Sequence, residues 1–336
     1  MARSTFPIVR PTYGTYEWLQ KELGTAVGIG ANFNHWDHSE VERVDSIIQR
    51  GVHRFYQPAG TGQRFQRGYQ WSFLKPLATL TTSAPYDTGT IAIVNGVMTI
   101  TGGVFPAWVL DGEFQFSGTS GAVATIISYS GISVSAVSET YDEVTLVDTT
   151  LNAVVGTSFT LNRPKYSMPA TFDGMDGPMT YESGAGRSSV LVFPEYEVRR
   201  RGQTYHSSGS PQIAALYPAT PDASTGTARK IKFYPAPNAV YVLEYRYKIA
   251  PTDLLAGEFP LGGRVNAETI LMSCLAILSP KLEETFLARL ASAIDQDQTS
   301  HQAANIGQNL DRSDDIGSDY LDRNSQNNYL TTYDNS

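Results

Sequence analysis

The densest group of metal-capable side chains is His35-Trp-Asp-His38, two imidazoles and a carboxylate that could hold a metal ion in a loop. The remaining histidines, at 53, 206 and 301, bring no matching partner motif, so the segment reads more simply as the polar lead-in to a helix. The single cysteine, Cys274, falls on a helix face of Leu and Ile, a setting for inert core and not for an activated thiolate. Paired carboxylates at Glu283-Glu284 and at Asp295 and Asp297 lie on a helical pattern, where a solvated face explains them. Gly28-Ile-Gly30 lacks the flanking strand and third glycine of a dinucleotide fingerprint, and Gly184-Ala-Gly186 reads as a turn. Neither a phosphate-cradling G-x-x-x-x-G-K-[ST] loop nor a G-x-S-x-G elbow is present. The one basic run, Arg199-Arg-Arg201, ends an expected strand; it could contact DNA phosphates, meet acidic groups on a neighbouring subunit, or stand in a solvated loop. Residue chemistry thus predicts no active site, no cofactor and no metal.

Composition narrows the classes further. The 336 residues carry 25 Lys and Arg against 33 Asp and Glu, a formal net charge of −8, which excludes a generic DNA-coating protein because phosphate affinity comes mainly from clustered cations. Charged residues make up 17%, low against roughly 25% in ordinary soluble domains. Such a surface suits faces buried against neighbours or built as β-structure. One cysteine allows no internal disulfide, and fits assembly in a reducing cytosol. The N-terminus lacks the apolar core of a signal peptide, and no apolar run approaches the roughly 20 residues that span a bilayer.

Two helices are expected first: one from a Thr15 cap to a stop at Gly24, the other over 39–56, with Ser39 and Glu42 as a capping box. Residues 71–82 read as a strand containing a proline. From Tyr86 to Arg163 only eight residues are charged, seven of them acidic, and no helical period appears. The pair Asn95-Gly96 between alternating runs predicts a type I′ hairpin. More strands are expected at 113–116, 122–129, 143–147 and 158–161, making 86–163 a small inserted sandwich or barrel. Beyond it, strands are expected at 189–193, 212–217, 230–234 and 240–249, then a helical stretch over 265–297 that Pro280 kinks or restarts with Ser279 as cap. The fold class is therefore α+β, with a core of 1–85 and 164–297, the inserted β-domain and an extended tail over 298–336.

From His301 on, six Asp face two Arg, so half the net charge lies in the final stretch. Ile306, Leu310, Ile316, Tyr320, Leu321, Tyr329, Leu330 and Tyr333 are spaced through it, the pattern of a polar tail that could order by laying anchors on another protein. A solvated tail is the alternative.

Several blocks in order resemble the head-to-tail connector (neck adaptor) proteins of tailed bacteriophages. They are Gly51-Val-His-Arg-Phe-Tyr56 with Trp71-Ser-Phe-Leu74, then Gly89-Thr-Ile-Ala-Ile-Val-Asn-Gly96 through Leu161-Asn-Arg-Pro-Lys-Tyr166, Met168-Pro169 and Phe172. Phe233-Tyr-Pro-Ala-Pro-Asn238, Tyr245-Arg-Tyr247, Leu261-Gly-Gly263, Ala267-Glu-Thr-Ile270 and Asp295-Gln-Asp297 complete the series, which departs from the family at Pro280, where an unbroken helix is expected. The resemblance implies a structural, non-enzymatic virion protein, assembled in the host bacterial cytoplasm, that forms a homo-oligomeric ring of roughly twelve copies under the portal. Such a ring joins capsid to tail, contacts the portal and a tail or stopper protein, and passes genomic DNA through its channel without binding it specifically. It implies portal docking for the tail anchors from Ile306 to Tyr333. Two alternatives stand beside it: a tail-tube or stopper component lower in the neck, and a carbohydrate-binding or depolymerising tail protein, suggested by the Tyr-rich β-content.

Overall fold

The computed structural model describes residues 11–58, 69–120, 127–204, 207–219 and 228–306. In chain order the helices are α1 (Tyr16–Val27), α2 (His38–Tyr56), α3 (Glu195–Thr204), α4 (Ala267–Leu278) and α5 (Glu283–Ile306). The first strands are β1 (Leu77–Thr81), β2 (Thr90–Val94), β3 (Val97–Thr101), β4 (Glu113–Ser120), β5 (Ile127–Val137), β6 (Glu143–Leu146), β7 (Leu151–Thr157) and β8 (Phe159–Asn162). They are followed by β9 (Lys165–Ser167), β10 (Phe172–Met175), β11 (Thr180–Tyr181), β12 (Leu191–Val192), β13 (Ser208–Gly209), β14 (Ile213–Pro218), β15 (Arg229–Tyr234), β16 (Ala236–Pro237) and β17 (Val242–Ile249). The protein is mixed α+β. Its compact units are residues 1–74 with 251–336, and residues 75–250, so the division falls at Leu74/Lys75 and Ala250/Pro251 and places the strands after Arg163 with the β-rich unit.

The first unit is helical because its apolar residues recur at steps of three and four. Leu19 and Leu23 of α1, Val44, Ile48, Val52 and Phe55 of α2, Ile270 and Cys274 of α4, and Phe286, Leu290 and Ile294 of α5 share one core. Trp71 closes it, donating its indole N–H to the Phe55 carbonyl at 2.8 Å. At the tightest crossing, a Cβ on Gly51 would lie 2.3 Å from Cys274 Sγ and 2.9 Å from the Cys274 backbone nitrogen, so the α2 and α4 backbones meet where only hydrogen fits.

Local chemistry moves several expected boundaries. Thr15 does cap α1, but the helix runs past Gly24 to a left-handed Gly28 at φ 87°. Gly24 serves packing instead: a Cβ there would fall 2.1 Å from the Trp36 ring. The capping box of α2 is Asp37 with Glu40, not Ser39 with Glu42. Asp37 accepts from the Glu40 N–H at 2.8 Å and also from the Ser39 hydroxyl at 2.8 Å, which is thereby used as a donor. A carboxylate at this positive helix end gains more than a hydroxyl would. Pro280 ends the expected long helix: Ser279 is extended, makes no side-chain cap, and a 3-10 turn over Pro280–Leu282 leads into α5.

Among the described residues the second unit holds four sheets. In the largest, β5, β6, β3, β2, β7 and β4 follow one another, and β4 also pairs with β5. The six strands therefore close into an antiparallel barrel, with β8 alongside β4. Asn95 and Gly96 take the positive φ, 50° and 77°, of the expected hairpin turn. Several strand expectations shift: of 71–82 only 77–81 is strand, after a 3-10 turn over Ser72–Leu74; 130–137 and 151–157 are also strand; and 122–126 lie outside the described residues. The barrel interior is Phe105, Phe114, Phe159, Leu161, Met98 and their neighbours. The other sheets run β1-β17-β10 with β11 on β17, β12-β14-β15-β9, and the short pair β13-β16. Alternation on β17 buries Leu243, Tyr245 and Tyr247 and leaves Arg246 exposed.

Charged side chains tie barrel to sheet. Lys230 Nζ donates to Asp111 Oδ1 at 2.6 Å and Lys232 Nζ to Glu113 Oε1 at 2.7 Å. Arg163 lies over the rings of Trp108 and Tyr166.

Candidate functional site

The segment from Pro251 to Asn266 has little regular structure, yet its backbone is held by side chains of the helices beside it. Gln49 of α2 both donates to the Leu254 carbonyl and accepts from the Leu254 N–H, each at 2.9 Å. Glu17 of α1 accepts from the Gly257 N–H at 2.5 Å, and the Tyr16 N–H donates to the Glu258 carbonyl at 3.1 Å. The hydroxyl of Tyr56 accepts from the Leu261 N–H at 2.6 Å, and burial pushes that phenol up to about 12. Gly262 and Gly263 take φ of 88° and 71°, and a Cβ on Gly262 would press the Phe73 ring at 2.9 Å. Anchored in this way, the segment presents Leu255, Phe259, Leu261 and Val265 to the outside, Leu255 at 62% and Val265 at 73% exposure. Tyr13, ahead of α1, is also exposed. Large apolar side chains are thus exposed on a firmly tied backbone, not on a loosely packed loop. Sequence reasoning missed it because the stretch has neither helical nor strand period. The signal present was several large apolar residues within a run rich in Gly and Pro.

Arg199, Arg200 and Arg201 sit on α3, not at the end of a strand, since β12 stops at Val192 and Pro194 opens a helix. The helix forms because Glu195 and Glu197 stand three and four residues before the arginines. Arg199 lies 3.7 Å from Glu195, while Arg200 and Arg201 approach Glu197 at 2.7 and 3.5 Å. Those hydrogen bonds hold the Glu197 carboxyl below the usual range. The run is thus largely neutralised within its own helix.

Of the tail anchors, Ile306 is the last residue of α5; Leu310, Ile316, Tyr320, Leu321, Tyr329, Leu330 and Tyr333 lie outside the described residues. Residues 298–306 continue α5 and are not an extended tail. Within the helix, Thr299 Oγ1 donates to the Asp295 carbonyl and Ser300 Oγ to the Gln296 carbonyl, which satisfies both hydroxyls locally.

His35 ends a 3-10 turn and His38 begins α2, where it pairs with Glu42 at 3.1 Å. Among the described residues no group of three His, Cys, Asp or Glu is placed to hold a metal ion. Cys274 is fully buried, and that burial pushes its thiol up to about 12. Glu283 pairs with Arg54, and Asp297 accepts from the Tyr69 hydroxyl at 2.7 Å and the Ser72 N–H at 3.0 Å. No described helix is long and apolar enough to cross a membrane. No protein-family model matches this chain, and no curated protein is similar to it.

Proposed function

We propose that the chain is a head-to-tail adaptor of a tailed bacteriophage, a structural protein of the virion neck that assembles as a ring under the portal and continues the DNA channel. The observation that carries this reading is the tethered apolar segment 251–266. A ring subunit must bury lateral faces against its neighbours, and Leu255, Phe259, Leu261 and Val265 are held ready for such a contact. The charge balance agrees with a channel protein: at a net −8, with Arg199 to Arg201 facing glutamates of their own helix, like charge lets DNA slide past. In this reading the helical unit is the adaptor core, and the acidic segment after Ile306 carries the anchors that clamp the portal.

Sedimentation of the purified chain, alone and with portal protein, tests the assignment. Replacing Leu255 and Val265 together by Ser leaves the fold intact, because both side chains face outward, and removes the ring species. Rings that persist unchanged in the double variant would remove the segment from the interface, and with it the main support for this function.

A further inference from the structure

Within the β-rich unit, a cavity of about 370 Å³ opens between the barrel, β15 and α3, in the size range of small-molecule sites. The charges in its wall are already matched. Lys232 of β15 is held by Glu113 of β4 at 2.7 Å, and Arg199 of α3 lies 3.7 Å from Glu195. α3 lines the cavity with its C-terminal half, whose carbonyl dipoles oppose an anion, while Lys232 and Arg199 oppose a cation. These surroundings favour a neutral ligand over either kind of ion.

What the wall leaves unused is hydrogen bonding. Glu113 Oε1 takes the Lys232 ammonium, and among the described residues no donor reaches Glu113 Oε2. An ammonium carries three donors, so the pair offers a donor and an acceptor side by side, the complement of a hydroxyl group, which both gives and takes a hydrogen bond. Gln115, two residues along β4, Ser130 and Ser133 of β5 and Gln203 of α3 add further amides and hydroxyls. At the end of β8, Asn162 shares the wall, and its Oδ1 is buried without a hydrogen-bond partner. A ligand able to donate and to accept can satisfy that amide whichever way it is turned. The rest of the lining is apolar: Pro164, Ala236 and the half-buried ring of Tyr234. A pyranose has the same division, with hydroxyls around its rim and C–H bonds on its faces.

From this lining we infer that the cavity binds a neutral pyranose, a hexose unit of a glycan. One hydroxyl bridges Glu113 and Lys232, others exchange hydrogen bonds with Gln115, Gln203 and the serines, and a C–H face of the ring lies against Tyr234. Because its parts come from separate strands and a helix, no sequence motif points to this site. The assignment goes beyond the adaptor reading and does not depend on it.

Titration calorimetry on the full chain with glucose, galactose, mannose and N-acetylglucosamine tests it, with sorbitol and glucuronic acid as controls. At least one of the four neutral sugars is expected to bind saturably. Sorbitol, which keeps the hydroxyls but lacks the ring face, and glucuronic acid, which brings a charge to a wall whose charges are matched, should each bind at least about fivefold more weakly. Replacing Gln115 and Gln203 together by Ala removes two exposed hydrogen-bonding side chains from the lining and should weaken the sugar by at least about fivefold. Ser117→Ala, on the same strand but outside the lining, leaves binding unchanged. Circular dichroism verifies that both variants are folded. The inference is overturned if none of the four sugars binds, if sorbitol or glucuronic acid binds as tightly, or if the folded double variant binds like the parent.

Discussion

Gly51 and Cys274 define the tightest point of the helical unit, and each makes a distinct prediction. Alanine at 51 adds a methyl group where Cys274 Sγ and backbone already stand at 2.3 and 2.9 Å. Overpacking should cost roughly 1–3 kcal/mol, more than the ~1 kcal/mol that alanine gains in helix propensity. Chemical denaturation checks this; Cys274→Ala should not restore stability, because the backbone contacts remain. The thiol itself is raised from 9.0 to about 12 by burial. Above pH 9 the unfolded chain releases this proton while the folded chain keeps it, so folding stability falls as pH rises through that window, by up to about 1.4 kcal/mol per unit. Below pH 9 the group contributes no slope. Denaturation midpoints between pH 8 and 11 should fall less steeply in Cys274→Ala than in the parent, and equal slopes would contradict the assignment. The position of Cys274 in an apolar helical stripe was legible from sequence; its contact with Gly51, 223 positions away, was not, because a glycine in a helix signals nothing about what crosses it.

At the scale of elements, α5 is held at its middle by Asp297, which takes hydrogen bonds from the Tyr69 hydroxyl and from both the backbone and hydroxyl of Ser72. Asp297→Ala strands three donors and should destabilise the helical unit by about 1–3 kcal/mol, measured as a shift in thermal midpoint. From sequence this carboxylate looked like part of a solvated face, since the partners arrive from a distant turn. Elements whose period comes from one buried face were readable: α2, the β2-β3 hairpin and β17 all stand where alternation or three-four spacing puts them. Boundaries set by competition between neighbouring caps, such as Asp37 against Ser39, were not, because both pairs satisfy the same spacing and only the helix start decides between them. The arginine helix α3 was misread for a related reason: Pro194 after a short apolar run suits a strand end and a helix entry equally, and the glutamates three and four residues ahead of the arginines were the overlooked sign. The anchored segment 251–266 had no local pattern at all, since it is assembled by tertiary contact.

At the scale of the whole molecule, the chain holds a helical unit, a barrel-bearing unit and an acidic terminal sequence through which Tyr320, Tyr329 and Tyr333 are spaced. Deleting residues 307–336 removes the proposed clamp while leaving the described helices intact. The truncated chain should still form rings but no longer co-purify with portal protein; portal binding retained at full strength would assign docking to another surface. The most direct test of the central claim is an averaged image of the neck of an intact particle with this chain tagged. The adaptor account predicts the tag as a closed ring of roughly twelve copies immediately below the portal and around the DNA channel. A tag found at the tail tip, or absent from the particle, would contradict it.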